Sequence, residues 1–250
     1  MSEATATKTA KVALITGANR GIGLETARQL GALRIIVLVG ARELKKGEAA
    51  AAELKKQGID ARALKLDVVS EADRAATANA IGREFGRLDI LVNNAAINLD
   101  QGASLETSTT PAKTLRDTFD TNFFAVVELT QILLPLIRKS KAGRIVNVSS
   151  AQGSLSLLAP KGSPIYATKT FSYDASKSAL NSFTLHLAHE LQETPIKVNS
   201  IHPGWVRTDM GGPQAPLGLA DGAKTSVRLA TLPDDGPTGG YFHMGEALPW

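Results

Sequence analysis

Short apolar runs recur along this chain, separated by longer stretches in which apolar residues return every three or four positions. A short apolar run bounded by turn residues reads as a strand covered on both faces, and the longer spacing reads as a helix packed by one face. Residues 12–15 give the first strand and 22–30 the first helical pattern. A strand over 35–39 follows, then an Ala/Glu/Lys-rich helix over 43–57 stopped by Gly58, and a strand at 61–66. Ser70 and Asp73 make a capping box for a helix ending near Gly86, and 88–92 is the fourth strand. A polar loop, 98–111, precedes a long helical pattern over 113–138 with Pro135 near its end. The strand 143–148, a Ser/Gly/Pro-containing segment, a helix over 172–192 and a strand over 196–200 complete the alternation. From Pro203 the chain is rich in Pro and Gly, with one short helix over 221–230 and a last strand near Tyr241. There is no internal repeat and no linker. Such regular alternation predicts an α/β fold: a doubly wound parallel sheet in three layers, as one domain over residues 11–250.

Composition narrows the function classes. The chain has 250 residues, 43% of them hydrophobic, enough to bury a sizeable core. Its 28 Lys and Arg against 24 Asp and Glu give a net charge of +4 with no dense basic run and little aromatic interleaving, which argues against a nucleic-acid partner. With no cysteine, disulfides and cysteine-based nucleophiles or metal sites are excluded. No apolar run approaches the roughly 18 residues that span a bilayer, so no membrane partner is expected. Residues 1–10 lack an apolar signal core and read as a disordered tail, and a cytoplasmic location is the expectation.

The apolar run from Lys11 breaks into T-G-A-N-R-G-I-G, with glycines at 17, 21 and 23 between a strand and a helix. At that turn Gly17 permits a tight bend, Gly21 lets the backbone approach a pyrophosphate and Gly23 lets helix pack on strand. The helix N-terminus then offers free amides to phosphates. This is Rossmann-like chemistry, and ligands of such sheets bind beyond the carboxyl ends of the strands. After the second strand NAD requires a carboxylate for its ribose hydroxyls, whereas a 2′-phosphate requires positive charge. The strand ends V-G-A-R with no acid, and Arg42 and Arg20 favour NADP(H). Asp67, closing the third strand, is placed to reach an adenine amino group. Asn93 and Asn94 end the fourth strand, where carboxamides tie strand ends together and line a cofactor cleft.

Tyr173 and Lys177, in Y-D-A-S-K, are four apart on a helical pattern and share one face. A phenol of pKa about 10 is a poor acid at neutral pH, and a neighbouring ammonium lowers that value. The pair can exchange a proton with a substrate oxygen. Ser150, after the fifth strand, adds a hydroxyl at the same end of the sheet.

Together these residues resemble the short-chain dehydrogenase/reductase family from residue 11 to about 242. The resemblance rests on T-G-A-N-R-G-I-G, N-N-A-A, the Asn of D-T-N-F-F, V-N-V-S-S, Y-x-x-x-K and P-G-W-V-R-T in that order. It implies Asn122, Ser150, Tyr173 and Lys177 as a catalytic tetrad. Tyr173 would be the general acid or base, Ser150 would hydrogen-bond the substrate oxygen, Lys177 would hold the nicotinamide ribose, and Asn122 would position a water. The implied cofactor contacts are Gly17, Asn19, Arg20, Gly21, Ile22, Gly23, Arg42, Asp67, Val68, Asn93, Ala95, Tyr173, Lys177, Pro203, Gly204, Val206 and Thr208. H-P-G-W-V-R-T-D-M-G-G looks like carbonyl reductases, which implies NADPH/NADP+ and a small carbonyl or alcohol substrate. A C=C or imine reductase on the same scaffold, and a non-catalytic NADP-binding regulator, are the alternatives.

Several positions depart from the family pattern or stay open. Ala96 stands where glycine is usual. Arg34 lies where a glycine often turns the chain, and a non-glycine residue at positive φ costs about 1 kcal/mol. The segment between Ser150 and Tyr173 is longer than usual, and Tyr166 with Lys169 is a three-residue decoy of the Tyr–Lys motif. His186 and His189 are i, i+3 on a helix but lack a third ligand, so no metal is expected. Trp205, Phe242 and Trp250 wall a substrate pocket or pack the C-terminal segment. Leu155, Leu157, Leu158 and Ile165 in the long segment cover the helix face through which relatives associate, or line the substrate cleft. The first option predicts a monomer, with a homodimer or homotetramer as the alternative.

Overall fold

Every residue of the first two strands, β1 (Val12–Thr16) and β2 (Ile36–Ala41), is buried, as a parallel sheet covered on both faces requires. The computed structural model describes residues 10–100 and 106–250. The expectation of a disordered tail over 1–10 falls almost wholly outside the described residues, as does part of the loop expected at 98–111. With β3 (Ala61–Lys65), β4 (Ile90–Asn93), β5 (Arg144–Val148), β6 (Lys197–Ile201), β7 (Tyr241–His243) and β8 (Glu246–Ala247), the strands form one sheet in the order β3-β2-β1-β4-β5-β6-β7-β8. All pairs are parallel except the last. The two-residue β8, turned back at Gly245, is too short to leave a pattern in the sequence.

Strand pleat sorts the core into two layers. Ala13, Ile15, Val37, Val39, Val92 and Val146 face α1 (Gly21–Ala32), α2 (Leu44–Lys56) and the late helix Leu219–Ala230, meeting Leu30, Leu54 and Leu229. Leu14, Leu38, Leu91, Ile145 and Val198 face α3 (Glu71–Phe85), Ala125–Ile137 and Phe171–Glu190, meeting Ile81, Leu129, Leu133 and Leu187. Strand order reverses between β1 and β4, so their carboxyl ends open the crevice in which doubly wound sheets bind ligands.

Several local expectations are met and others corrected. Arg34 has φ 61°, the left-handed turn expected after α1. Ser70 Oγ accepts the Asp73 amide at 3.2 Å, but the Asp73 carboxylate turns to the Asp67 amide and Lys65, so only half of the capping box forms. The helix expected over 113–138 is interrupted: α4 (Ala112–Phe119) runs through a π-helical turn at Asp120–Phe124 into α5 (Ala125–Ile137). By length and composition Ala112–Ile137 could cross a bilayer, contrary to the sequence reading. Leu129, Leu133 and Ile137 instead pack it on the sheet.

The long segment after Ser150 forms a turn at Ala151–Gly153 and the short helix α6 (Leu155–Leu158), before α7 (Phe171–Glu190). Ser154 Oγ donates to the Pro249 carbonyl at 2.7 Å and the Ser156 amide to that of Trp250 at 3.0 Å. The start of the segment is thus strapped to the C-terminal residues. Leu155 is exposed, as are Phe124, Ile132 and Leu185 on the long helices. The last helix, α8 (Leu219–Ala230), packs against α1 and follows a looped stretch over 203–217.

Candidate active site

Thr16 closes β1, and its hydroxyl accepts the amides of Asn94 and Ala95, both at 2.9 Å. The two strand ends flanking the crevice are locked together by one side chain that the sequence reading passed over. Gly17 and Gly21 adopt φ of 63° and 58°. A Cβ on Gly23 would lie 2.5 Å from Asn94 Nδ2 and 2.7 Å from the Gly17 carbonyl oxygen, so only glycine lets α1 start here. No side chain caps α1 and its first turn holds no acid, which leaves its amides to an anion. Above Gly21 the nearest atom to an added Cβ is Thr208 Cγ2 at 3.7 Å. A dinucleotide pyrophosphate fits this cradle, with Asn19, Arg20 and Ile22 lying within the same turn.

The rim of the crevice carries the selectivity candidates. Arg20 pairs with Asp209 of the 203–217 stretch, both largely exposed, so it is engaged across the crevice and not simply solvated. Arg42, just past β2, is exposed. Asp67 Oδ1 accepts the Val69 amide at 3.3 Å in a tight turn, and Val68 beside it is buried. Asn93 is turned away from the crevice: its Nδ2 donates to Asn147 Oδ1 at 2.9 Å and Thr130 Oγ1 at 3.2 Å. Asn94 Nδ2 donates to the Thr16 carbonyl at 2.8 Å. Both carboxamides therefore tie strand ends, and the expectation that they line the cleft is corrected for the Asn93 side chain. Opposite, Pro203 and Gly204 lead into a loop in which Val206 makes a parallel bridge with Leu217 and Thr208 Oγ1 accepts the Gly211 amide at 2.9 Å.

Of the tetrad candidates, Ser150, Tyr173 and Lys177 lie together at the carboxyl end of β5 and the start of α7, and Asn122 is linked to them through Ser176 of α7. Ser150 and Tyr173 are neighbours and both are buried, and the Ser150 hydroxyl also accepts the Gln152 amide at 3.2 Å. Lys177, only 2% exposed, donates from Nζ to the Val148 carbonyl at 2.8 Å, and the Nζ lies 5.6 Å from the centre of the Tyr173 ring. Asn122 sits in the π-helical turn, where its side chain accepts the Ile97 amide at 2.9 Å and donates to the Ile97 carbonyl at 2.8 Å. The interruption of the helix thus falls on the catalytic asparagine candidate, a common place for π-turns.

Burial decides the protonation states. It pushes the Tyr173 phenol up to about 12, with the Ser150 hydroxyl opposing and the Asp174 carboxylate adding to it. Burial pushes the Lys177 amine down to about 7. The sequence expectation that Lys177 lowers the tyrosine pKa is not met here, because desolvation of a buried phenol outweighs a poorly charged amine beyond its ring. Tyr173 is therefore a neutral O–H donor across the neutral range. Asp174, pushed up to about 6 chiefly by burial, accepts the Thr170 amide at 3.1 Å and the Thr170 hydroxyl at 3.0 Å.

Neighbouring residues support the turn after Ser150 and the start of α7. His202, held down at about 3 by burial and then by His243, accepts the Ala151 amide at Nδ1 from 3.1 Å and fixes the turn after Ser150. Gln152 Nε2 reaches Thr170 Oγ1 at 3.2 Å, bridging the serine turn to the start of α7. Tyr166 pairs with Lys169, whose Nζ lies 4.1 Å from the ring centre, and takes no part in the tetrad. Trp250 stacks on Tyr241 at 5.4 Å, Phe242 packs on the core, and Trp205 is 56% exposed at the crevice side. His186 and His189 are exposed on α7.

A family model described as short chain dehydrogenase matches residues 11–216. Short-chain dehydrogenase/reductase 1 of Saponaria officinalis is 33% identical, with 96% of each chain covered. Carbonyl reductase (NADPH) 1 of Sus scrofa is 33% identical, covering 96% of this chain and 94% of that one. Among solved structures, an NADPH-bound carbonyl reductase from chicken fatty liver superposes with a TM-score of 0.84 at 26% identity, covering 96% of this chain and 99% of that one.

Proposed function

The chain belongs to the short-chain dehydrogenase/reductase family, and from that premise we propose that it is an NADPH-dependent reductase of aldehydes or ketones, reversible as an alcohol dehydrogenase. The observation that carries this reading is the buried Tyr173 phenol set beside Ser150 and the buried Lys177, whose Nζ lies 5.6 Å from the ring centre. A carbonyl oxygen entering between the two hydroxyls accepts from both. When bound, NADPH supplies the hydride to the carbonyl carbon. Tyr173 transfers its proton to the developing alkoxide, Ser150 holds the oxygen, and Lys177 stands beside the phenolate that remains. Asn122 keeps the start of α7 and the strand β4 exit in place around that oxygen.

The glycine turn supports the cofactor half of the reading. Gly17, Gly21 and Gly23 with the uncapped end of α1 would hold the pyrophosphate, Arg42 and Arg20 the 2′-phosphate, and Asp67 with Val68 the adenine side. Ala95, Pro203, Gly204, Val206 and Thr208 would flank the nicotinamide end. The reading assigns the enzyme to the cytoplasm and to a monomeric state, the latter because the long segment after Ser150 is anchored within its own chain at Pro249 and Trp250.

The test is NADPH consumption over a panel of aldehydes, ketones, enones and imines. Reduction of the carbonyl group is the expected result. Turnover confined to C=C or C=N bonds, or saturable NADPH binding with no turnover, would overturn the reading.

A further inference from the structure

The helix that carries Tyr173 and Lys177 needs acceptors for its first-turn amides, and its own N-cap residue, Thr170, supplies no side-chain bond. The Ser172 amide, one residue ahead of Tyr173, donates instead to Asp100 Oδ2 at 2.6 Å. Asp100 lies 72 residues away in the chain, beyond the carboxyl end of β4, and is only 3% exposed. Its own amide donates to Asn98 Oδ1 at 3.2 Å, which fixes the turn that aims it. Three residues upstream, Ile97 exchanges both of its backbone groups with the Asn122 side chain. Residues 97–100 are therefore a strap that holds Asn122 at one end and the start of the catalytic helix at the other.

A cap supplied from within a helix secures only that helix's own end. A cap supplied from another strand's exit also fixes where the helix end sits relative to the sheet. The bond is short and made to a carboxylate at the positive end of a 20-residue helix, so it is strong for its kind. The other acid at this end, Asp174, is spent on Thr170 and cannot replace it.

We propose that Asp100 is a positioning residue for Tyr173: through the Ser172 amide it sets the height at which the phenol meets Ser150. This rests on Tyr173 being the proton donor of the proposed reduction. Asp100 touches neither substrate nor cofactor and acts through the backbone one residue ahead of the tyrosine.

The full chain loaded with NADPH is compared as wild type, D100A and D100N. Asn retains the acceptor oxygen and Ala removes it. The expected result is a kcat lower by roughly 10- to 100-fold in D100A, with NADPH affinity unchanged, and near-complete recovery in D100N. The 13Cζ resonance of Tyr173, assigned by its loss in Y173F, should shift in D100A and return in D100N, while those of Tyr166 and Tyr241 stay in place. If D100A does not fold, D100E keeps the acceptor but lengthens its arm by one methylene, and the same displacement of the Tyr173 resonance alone is expected. An unmoved Tyr173 resonance together with wild-type kcat in D100A overturns the proposal, as does a joint shift of all three tyrosines in D100A that D100N does not restore. A wild-type protein that reduces no carbonyl compound would remove the proposed function, and the tyrosine resonance would still decide the role of Asp100.

Discussion

Asn122 Nδ2 donates to Ser176 Oγ at 3.1 Å, and that hydroxyl donates in turn to the carbonyl of Tyr173 at 2.7 Å. The asparagine thereby grips the peptide of the proposed proton donor without touching its ring. Ser176→Ala deletes the intermediate hydroxyl and leaves an amide hydrogen of Asn122 buried without its partner, at a cost of about 1–3 kcal/mol. The melting temperature should fall by about 2–4 °C for each of those kcal/mol, with kcat down by roughly tenfold. Melting curves beside steady-state rates decide it, and an S176A protein as fast as wild type would show that the grip is idle.

Tyr173→Phe keeps the ring and its packing and removes only the transferable proton. Because the phenol is held near 12, it is fully protonated at pH 7 in the wild type, so the variant loses a donor and no charge. Carbonyl reduction should drop by at least about 10²-fold while NADPH binds as before. Substantial residual turnover in stopped-flow assays would strip Tyr173 of its role.

The fold was legible because buried parallel strands write themselves as short apolar runs. Residues 12–15 and 35–39 needed no tertiary information to be read, and they fall within or beside β1 and β2. The four tetrad candidates were named from ordered motifs, and their place at the carboxyl end of the sheet followed from the strands and helices those motifs close or open. What escaped were residues whose meaning is a distant partner: Thr16 reads as the end of a strand, Ser176 as a helix-surface serine and Asp100 as loop chemistry. The π-turn at Asn122 also left no mark, since one additional residue in a helical turn barely disturbs apolar spacing. The tyrosine pKa was misjudged for a related reason. Sequence spacing brings Lys177 near Tyr173 but says nothing of how deeply both are buried.

Cofactor choice turns on two arginines in different situations. Arg20 already has a carboxylate partner in Asp209, whereas Arg42 stands exposed just past β2. Arg42→Asp should lower the preference for NADPH over NADH by about 10-fold or more, through lost attraction and new repulsion. Asp209→Asn, which frees Arg20, should tighten NADPH and leave NADH unaffected. Titrations with both cofactors provide the check, and equal use of NADH and NADPH by the unaltered enzyme would defeat the assignment.

Lys177 makes a prediction about stability. Its amine titrates near 7 in the folded protein against an ordinary 10.5, so between these values the unfolded chain binds more protons and stability rises with pH. Below about 7 the burial penalty is complete, and above about 10.5 it is gone. Lys177→Met should therefore melt above the cofactor-free wild type at pH 6, by about 2–4 °C for each kcal/mol recovered, with the gap closing toward pH 10.5. A gap that does not change with pH would mean that packing and not charge is responsible.

Assembly is the least local of the predictions. A monomer of 26.3 kDa is expected by light scattering at micromolar concentration. Phe124, Ile132, Phe171 and Leu185 are exposed large apolar residues along the long helices that a dimer would bury. Leu185→Glu should leave the mass unchanged. A dimer or tetramer that this substitution dissolves would contradict the monomer and place the interface on those helices.

The π-helical turn at Asp120–Phe124 amounts to a frameshift inside a helix. Each residue of an α-helix turns the next by about 100°, so one surplus residue gives α4 and α5 independent facings: α4 is free to address the catalytic helix while α5 keeps its apolar side on the sheet. Excising Thr121 would splice the two into a single regular rod. Such a protein would point its asparagine away from Ile97 and Ser176, orphan the buried groups it now satisfies, and melt below its parent: the irregular turn is what the buried asparagine requires.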